Sequence, residues 1–465
     1  MSLINTSIII LTYNKLEYTK SCIESIRQYT APISYELIVV DNHSTDGTVE
    51  WLKEQDDIYT IYNSVNLGFP KGCNQGIAIA RGMNILLLNN DVIVTYNWLN
   101  NLLMTLYSVN DIGAVGPVTN NCANSQSISV PYHSINEMHQ FALQYNISQQ
   151  AYWEERLKLI GFCLLIKKEV VDKIGLLDEI FSPGNYEDDD YSARIREAGY
   201  RLLLCRDTFI HHFGGASFKD WSEEYIQLLK QNRKKFEGKW GYNSQYSSFI
   251  RQEIIDLIDV SPDAKIRVLD VGCACGATLL QVKNQYKEAE LYGIELNPYA
   301  AKSANSFAQM LIADIETVEL DYPLEFFDYI ILGDVLEHLQ NPWEILMRLY
   351  KHLAPGGKIL ASIYNIMHFS VIQSLLQGNW SYESEGILDK AHLRFFTFSE
   401  IHKMLLQTGF SDIQYRATRL DVSEKEQGFV DTIATLTNDI LVDQFTVYKY
   451  IVKASKDIPG VKSVE

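Results

Sequence analysis

The sequence predicts an α/β protein of two domains, each a largely parallel sheet flanked by helices. Two hydrophobic runs, Ser7–Leu11 and Ile266–Asp270, each feed a polar turn and then a helix-like stretch. After each start, strand-sized runs alternate with amphipathic segments of helix length. The two blocks share this grammar but no motif, so they read as a fusion of different domains. A chain of 465 residues accommodates two large ones.

In the first block the later strands are expected at Glu36–Val40, Ile58–Tyr62, Asn84–Leu88 and Ala114–Pro117. In the second they are expected at Glu290–Ile294, Tyr329–Leu332 and Lys358–Ser362, with a last strand near Phe445–Val452. A charged, helix-like stretch from Ser222 to Trp240, then Gly241–Gln245, reads as a connector. The expected domains are residues 1–245 and 246–465. Composition excludes some functions: 40 basic against 58 acidic residues leave a net charge of −18, which repels phosphate backbones and argues against nucleic acid as the partner. The apolar run Ile8–Leu11 is too short for export or membrane spanning, and no stretch reaches the ~18 apolar residues that crossing needs. Seven cysteines, with no Cys-x-x-Cys and with Cys273 and Cys275 one residue apart, read as buried thiols of a cytoplasmic protein.

Ligands of open α/β sheets bind beyond the carboxyl ends of the strands. In the first block those ends carry Thr12-Tyr13-Asn14, then Asp41-Asn42, then Asn89-Asn90-Asp91. Asp41 could accept a hydrogen bond from a base N–H or cap the next helix, a role for which Asp46 competes. In Asn66–Asn74 small residues let backbone N–H groups approach an anion, and Lys71 can neutralise phosphate. Asp91 offers an oxygen ligand for a hard divalent cation on a rigid edge, although Asn-Asn-Asp is also good turn material. Glu187-Asp188-Asp189-Asp190 opens a helical pattern; crowding raises carboxylate pKa values, which suits a general base, while Asp190 reads as a helix-dipole complement. His211 and His212 follow a strand, where one imidazole could complete a metal shell.

In order along the chain, Ser7–Asn14, Val39–Thr48, Asn66–Gly76, Leu86–Asp91, Gly161–Lys168 and Tyr186–His212 resemble a family-two glycosyltransferase of the GT-A fold, in its rhamnosyltransferase-like branch. The resemblance implies inverting transfer from a nucleoside-diphosphate sugar, UDP- or dTDP-linked, with Mn2+ or Mg2+. It implies that Thr12, Asn14, Asp41, Lys71, Asn89 and Asp91 bind the donor, that Asp41 reads a pyrimidine and that Asp91 holds the metal. Asn89 stands where the family's Asp-x-Asp has its first aspartate, and an amide is a weaker cation ligand. The family's Glu-Asp pair falls on Glu187-Asp188, with Asp188 the expected base. His212 fits the late metal-ligand histidine better than His211 by its spacing to Gly215 and Ser217.

The second block opens with Val268–Gly276, a strand breaking into a small-residue turn. The next strand ends in Glu295, about twenty residues on, where a carboxylate can hold both ribose hydroxyls. A dinucleotide site would want Gly-x-Gly-x-x-Gly, and only Gly272 and Gly276 are present. With Ala313-Asp314-Ile315, Phe327–His338 and Leu353–Lys358, the series resembles a class I methyltransferase dependent on S-adenosylmethionine, of Rossmann-like fold, from about residue 250 to the last strand. The resemblance implies that Asp270, Gly272 and Gly276 flank the methionine part of the cofactor, Glu295 the ribose and Asp314 the adenine, with Asp334 in the same binding set. Ala274 replaces the middle glycine of Gly-x-Gly-x-Gly. His338, on a helix-like stretch, and His392, in Asp389–Thr397, are candidate bases for methylating a hydroxyl.

The leading expectation is a bifunctional enzyme that extends a bacterial surface glycan and methylates a sugar, since a short connector raises the effective concentration of one product at the other site. Two unlinked activities, one of them on a protein such as a flagellar or surface subunit, and one active domain beside a binding module, are the alternatives. A lipid-linked acceptor would bring the chain to the inner membrane face without spanning it.

Overall fold

The computed structural model describes residues 4–123, 125–214, 223–437 and 440–458, and the chain divides into two compact units, residues 1–248 and 249–465. Gly215, Ser217 and Ser222, used above for His212 and the connector, lie outside the described residues. Among the described residues no helix is long and apolar enough to cross a membrane.

Unit 1 contains β1 (Thr6–Thr12), β2 (Tyr35–Asp41), β3 (Ile58–Tyr62), β4 (Asn84–Asn89), β5 (Val92–Ile93), β6 (Ile112–Val118), β7 (Trp153–Arg156), β8 (Cys163–Lys167), β9 (Arg201–Phe209) and β10 (His211–His212). Eight of them form one sheet in the order β3-β2-β1-β4-β8-β6-β9-β7, while β5 and β10 make a separate antiparallel pair. The half around β1 is parallel, but β8 runs antiparallel to β4 and β6, and β7 antiparallel to β9. The unit is therefore more mixed than the expected largely parallel sheet.

Side chains alternate across the sheet as period-two strands require. Ile8 and Ile10 pack with Cys22, Ile23 and Ile26 of the helix Leu16–Tyr29 and with Trp98 and Leu102 of the helix Trp98–Leu106. Ile9 points the other way, to Cys73 and Ile77 of the helix Phe69–Ile79 and to Tyr191 and Ile195 of the helix Glu187–Glu197. Each such fully buried aliphatic side chain contributes about 1.5–3 kcal/mol. The expected anion loop Asn66–Asn74 is mostly the start of that helix Phe69–Ile79, and the Phe69 N–H is already taken by the Pro183 carbonyl at 2.7 Å. The small residues there have a packing cause: a Cβ at Gly72 would collide with Leu11, and one at Gly76 with Ile9.

Unit 2 contains β11 (Arg267–Val271), β12 (Glu290–Glu295), β13 (Gln309–Ile312), β14 (Phe327–Gly333), β15 (Leu353–Tyr364), β16 (Ser411–Arg419) and β17 (Val447–Ser455). Their order is β13-β12-β11-β14-β15-β17-β16; the first five are parallel, β17 runs antiparallel to both β15 and β16, and β16 therefore shares the direction of the first five. Leu269, Ile330 and Ile359 face one core and Val268, Ile331 and Leu360 the other. Two insertions build small clusters of their own. Residues 365–397 contain the helix Phe369–Leu376, and residues 420–446 contain the helix Glu424–Thr435. Phe369 packs with Val430, Ile433 and Phe445; Val371 packs with Ile387 and Leu388. His338 lies in a short 3-10 turn, Leu336–His338, because Asn341 caps a new helix, Pro342–His352, only three residues later.

The turn after β11 needs left-handed backbone, with φ of 71° at Gly272, 49° at Ala274 and 78° at Gly276. A Cβ at Gly276 would also stand 2.8 Å from the Ala304 Cβ. Gly276→Ala is expected to destabilise unit 2 by about 1–3 kcal/mol, whereas Ala274→Gly should change stability by under about 1 kcal/mol. Urea unfolding of the full chain, followed through the transition of this unit, checks both.

Candidate active sites

In unit 1, β2 delivers Asp41 to its carboxyl end with 1% of its surface exposed. Oδ2 accepts the N–H groups of His43 and Ser44 at 3.1 and 3.0 Å, while the buried Oδ1 has no hydrogen-bond donor. Asp46 takes the capping role instead, accepting the N–H groups of Leu16 and Thr48. Thr12 and Asn14 fix the neighbouring loop: the Thr12 hydroxyl meets that of Thr19 at 2.8 Å, and Asn14 accepts the Thr45 N–H at 2.8 Å. Lys71 sits on the first turn of the helix Phe69–Ile79 and is half-exposed, with Glu179 at 4.0 Å.

Past β4, Asn90 is buried against Thr12 and Thr19, so it serves the scaffold. Asn89 donates its N–H to the Phe162 carbonyl at 2.9 Å. Asp91 faces His212 across the β5–β10 pair, with Oδ1 3.2 Å from Nε2. The His212 Nδ1 lies 2.8 Å from the Asn121 carbonyl, which can only accept, so Nδ1 carries a proton; Nε2 donates to Asp91 when the ring is protonated and offers a lone pair when it is neutral. Burial lowers the His212 pKa, but the bond to Asp91, its charge and the Asn121 carbonyl outweigh this and leave it raised. His211 is engaged elsewhere, 2.7 Å from the Tyr132 hydroxyl, and burial pulls its pKa down to about 4. One carboxylate and one imidazole, converging on a strand end, suit Mn2+ or Mg2+ whose remaining positions are filled by diphosphate and water. Among the described residues no group of three His, Cys, Asp or Glu could hold a metal by itself.

Asp188 opens the helix Glu187–Glu197, and its Oδ2 accepts the Gly161 N–H at 3.0 Å. Burial, with Asp189 beside it, pushes its carboxyl up to about 6. Glu187 is buried with Oε2 lacking a donor, and desolvation followed by the Asp188 charge raises it well above the usual range. Asp189 pairs with Lys158, and Asp190 with Arg194 and Lys239. The segment Gly161-Phe162 ties the site together. Gly161 holds Asp188, the Phe162 carbonyl takes the Asn89 N–H, and its ring stacks on His212 at 5.2 Å.

In unit 2, Glu295 ends β12 and accepts the N–H groups of Ala274 and Asn297, both at 2.8 Å. The carboxylate thus clamps the turn that contains Gly272 and Gly276. Asp270 is buried beneath that turn; desolvation, with Glu295 adding to it against Arg251, raises its pKa to about 7. Asp314 is exposed and accepts the Glu316 N–H at 2.9 Å. Asp334 has both oxygens engaged: Lys449 lies 2.8 Å away, Arg251 3.2 Å, and the Ser362 hydroxyl donates at 2.6 Å. Burial works to raise Asp334, but the two cations hold it below its ordinary value.

His338 and His392 come together with ring centroids 4.8 Å apart. Each has Nδ1 near a carbonyl, Ala391 at 3.2 Å and Ile387 at 3.0 Å, which leaves both Nε2 atoms as acceptors. Glu337, next to His338 in the chain, was missed by sequence reasoning. Its backbone carbonyl accepts the N–H groups of Leu393 and Arg394, its Oε1 accepts the Tyr364 N–H, and its buried Oε2 has no donor. Its place inside Leu336-Glu337-His338, a charge amid apolar residues, was the available signal. Arg251 and Lys449 were also missed, because each reaches Asp334 from more than 80 residues away.

Both folds and both sets of strand-end carboxylates define a two-part transferase. Residues 7–175 match the family described as Glycosyl transferase family 2, and residues 242–415 match the family described as Methyltransferase domain. The chain therefore carries a family 2 glycosyltransferase domain followed by a methyltransferase domain. It is 26% identical over 211 residues to glycosyltransferase AglE of Haloferax volcanii, covering 44% of this chain and 66% of that protein. It is 31% identical over 118 residues to phosphoethanolamine N-methyltransferase 3 of Arabidopsis thaliana, covering 24% of each. With a ubiquinone biosynthesis O-methyltransferase of Rickettsia akari it shares 25% identity over 216 residues, covering 45% of this chain and 85% of that one. The chain thus spans about a quarter of the plant relative and just under two thirds of the archaeal one.

Burial, then the Asp334 charge, raises Glu337 from 4.5 to about 8. A carboxyl raised on folding lends stability that is complete below pH 4.5 and lost as pH climbs to about 8. Glu337→Gln should therefore flatten the fall in unit 2 stability across that window, by up to about 1.4 kcal/mol per pH unit. Urea midpoints at a series of pH values check this.

Proposed function

We propose that this chain moves a sugar from a nucleoside-diphosphate donor to a glycan in unit 1, and methylates a sugar hydroxyl with S-adenosylmethionine in unit 2, in the building of a bacterial surface glycan. The acceptor is the growing glycan on its lipid or protein carrier. The observation that carries the first half is the Gly161-Phe162 segment, which holds Asp188 and lies against Asn89 and His212.

Asp41 suits a uracil or thymine base. Its one free oxygen matches the single N3–H of those bases, whereas guanine aligns two donor groups and would turn one toward Oδ2, already occupied by His43 and Ser44. Lys71 is placed to balance diphosphate charge. Asp188 takes the proton of the acceptor hydroxyl as that oxygen attacks the anomeric carbon; the bond from that carbon to the diphosphate oxygen breaks on the opposite face, giving inversion. A Mn2+ or Mg2+ held by Asp91 and His212 would neutralise charge on the leaving diphosphate.

In unit 2 the Gly272–Gly276 turn allows the cofactor close to the backbone, Glu295 accepts the ribose hydroxyls, and Asp314 borders the adenine. S-adenosylmethionine supplies the electrophilic methyl group. Asp334 acts by positioning Arg251 and Lys449, since its own oxygens are occupied. His338, more open to solvent than His392, takes the acceptor proton on Nε2. His392 packs against its ring.

Asp188→Asn should lower sugar transfer by about 10²–10⁴-fold while leaving nucleotide binding near the wild-type value. In the wild type, transfer should rise with pH through about 6 as Asp188 loses its proton. Turnover with a labelled donor across pH 5–8, beside calorimetric nucleotide binding, checks both; a variant that turns over normally excludes Asp188 as the base.

A further inference from the structure

The segment Asn379-Trp380-Ser381-Tyr382-Glu383-Ser384-Glu385 alternates aromatic with amide, hydroxyl or carboxylate side chains, and all seven residues are exposed. Residues 379–382 have neither helix nor ladder and lead into a bridge between Glu383 and Asp389. Trp380 keeps 39% of its surface exposed and Tyr382 keeps 59%, although an unpartnered indole is ordinarily buried. Their rings are 6.5 Å apart.

These two rings are tied to the histidines of the methyl-transfer site. Trp380 meets Phe395 edge-on at 5.4 Å, Phe395 lies 6.4 Å from His392, and His392 lies 4.8 Å from His338. The strap is anchored by Leu393 and Arg394, whose N–H groups both bond the Glu337 carbonyl, at 2.7 and 3.0 Å. Val371, Ile387 and Leu388 pack beneath it. The platform therefore rests on fixed structure, and its aromatic path leads directly to the two histidines.

The geometry points to a carbohydrate-binding subsite on Trp380 and Tyr382, which holds a neutral glycan beside the methyl-transfer site. Ring faces suit the apolar faces of pyranoses, and the interleaved Asn379, Ser381, Ser384 and carboxylates offer donors and acceptors for hydroxyls. Charge selects among occupants. Residues 379–390 hold Glu383, Glu385 and Asp389 against Lys390 alone, in a chain of net charge −18. That field disfavours an anionic lipid surface or a nucleic acid, and leaves a neutral polyhydroxylated chain as the fitting partner. The subsite rests on the reading of unit 2 as a glycan methyltransferase.

The test uses the full chain, neutral tetrasaccharides of rhamnose, mannose, galactose and glucose, and saturation-transfer NMR with calorimetry. The wild type should bind at least one of them. Trp380→Ala and Tyr382→Ala should each bind it about tenfold more weakly. Trp380→Phe should recover most of that loss, and S-adenosylmethionine affinity should stay constant throughout as the sign of a folded unit. No tetrasaccharide bound by the wild type, or equal binding by the alanine variants, overturns the subsite. So does Trp380-dependent binding to phosphatidylglycerol vesicles without saccharide binding. Saccharide binding that needs Trp380 but is never followed by methyl transfer leaves the subsite standing and removes the glycan methyltransferase reading instead.

Discussion

A buried carboxylate oxygen without a hydrogen-bond donor is costly, by about 1–3 kcal/mol or more, and among the described residues three such oxygens stand out: Asp41 Oδ1, Glu187 Oε2 and Glu337 Oε2. Each carboxyl is held by its other contacts. Asp41 is anchored by two backbone N–H groups, Glu187 by its place in the first turn of a helix, and Glu337 by Tyr364 and the strap on its carbonyl. The surrounding sheet and helices tolerate these orphans because the candidate sites are built around them: one at the end of β2 in unit 1, one beside the proposed base, one next to His338 in unit 2. Burial of other carboxyls, with a second acidic group beside each, raises Asp188 to about 6 and Asp270 to about 7, which places them where proton transfer near neutral pH is accessible.

The sheets explain why the groups converge. Parallel strands bring their carboxyl ends to one edge, so Thr12, Asp41 and Asn89 in unit 1, and Asp270, Glu295 and Asp334 in unit 2, arrive at common edges from distant parts of the sequence. Helices are drawn close where glycine permits. Gly72 and Gly76 let the helix Phe69–Ile79 lie on Leu11 and Ile9, which fixes the position of Lys71. In unit 2 the left-handed turn through Ala274 presents its N–H to Glu295.

What was legible in the sequence was local. The consecutive apolar run Ile8–Leu11 announced β1, and Val268–Gly276 announced β11 and its turn, because a strand-sized apolar run and turn chemistry are properties of a few neighbouring residues. Chain order carried the two domain classes. Antiparallel β7 and β8 were not seen, since their partners β9 and β4 are remote and their alternation is weak. The Asn66–Asn74 stretch looked like an anion loop because glycine required for helix packing resembles glycine required by phosphate. His338, on a helix-like stretch, and His392 were each visible as titratable groups, but their mutual contact, and the bonds of Leu393 and Arg394 to the Glu337 carbonyl, depend on a strap that only the folded chain defines. The same holds for Arg251 and Lys449, whose meeting at Asp334 joins three distant segments.

If the proposed coupling holds, two chemistries on one chain have a physical rationale in effective concentration, since the second site would see the first product before it diffuses away. The most direct measurement of that claim is the intact mass of one glycan acceptor incubated with the chain, a UDP- or dTDP-sugar and S-adenosylmethionine. Gain of one sugar followed by one methyl group on that same molecule, with methylation dependent on the added sugar, is the predicted result. Methyl transfer at an equal rate to acceptor that has received no sugar would contradict it.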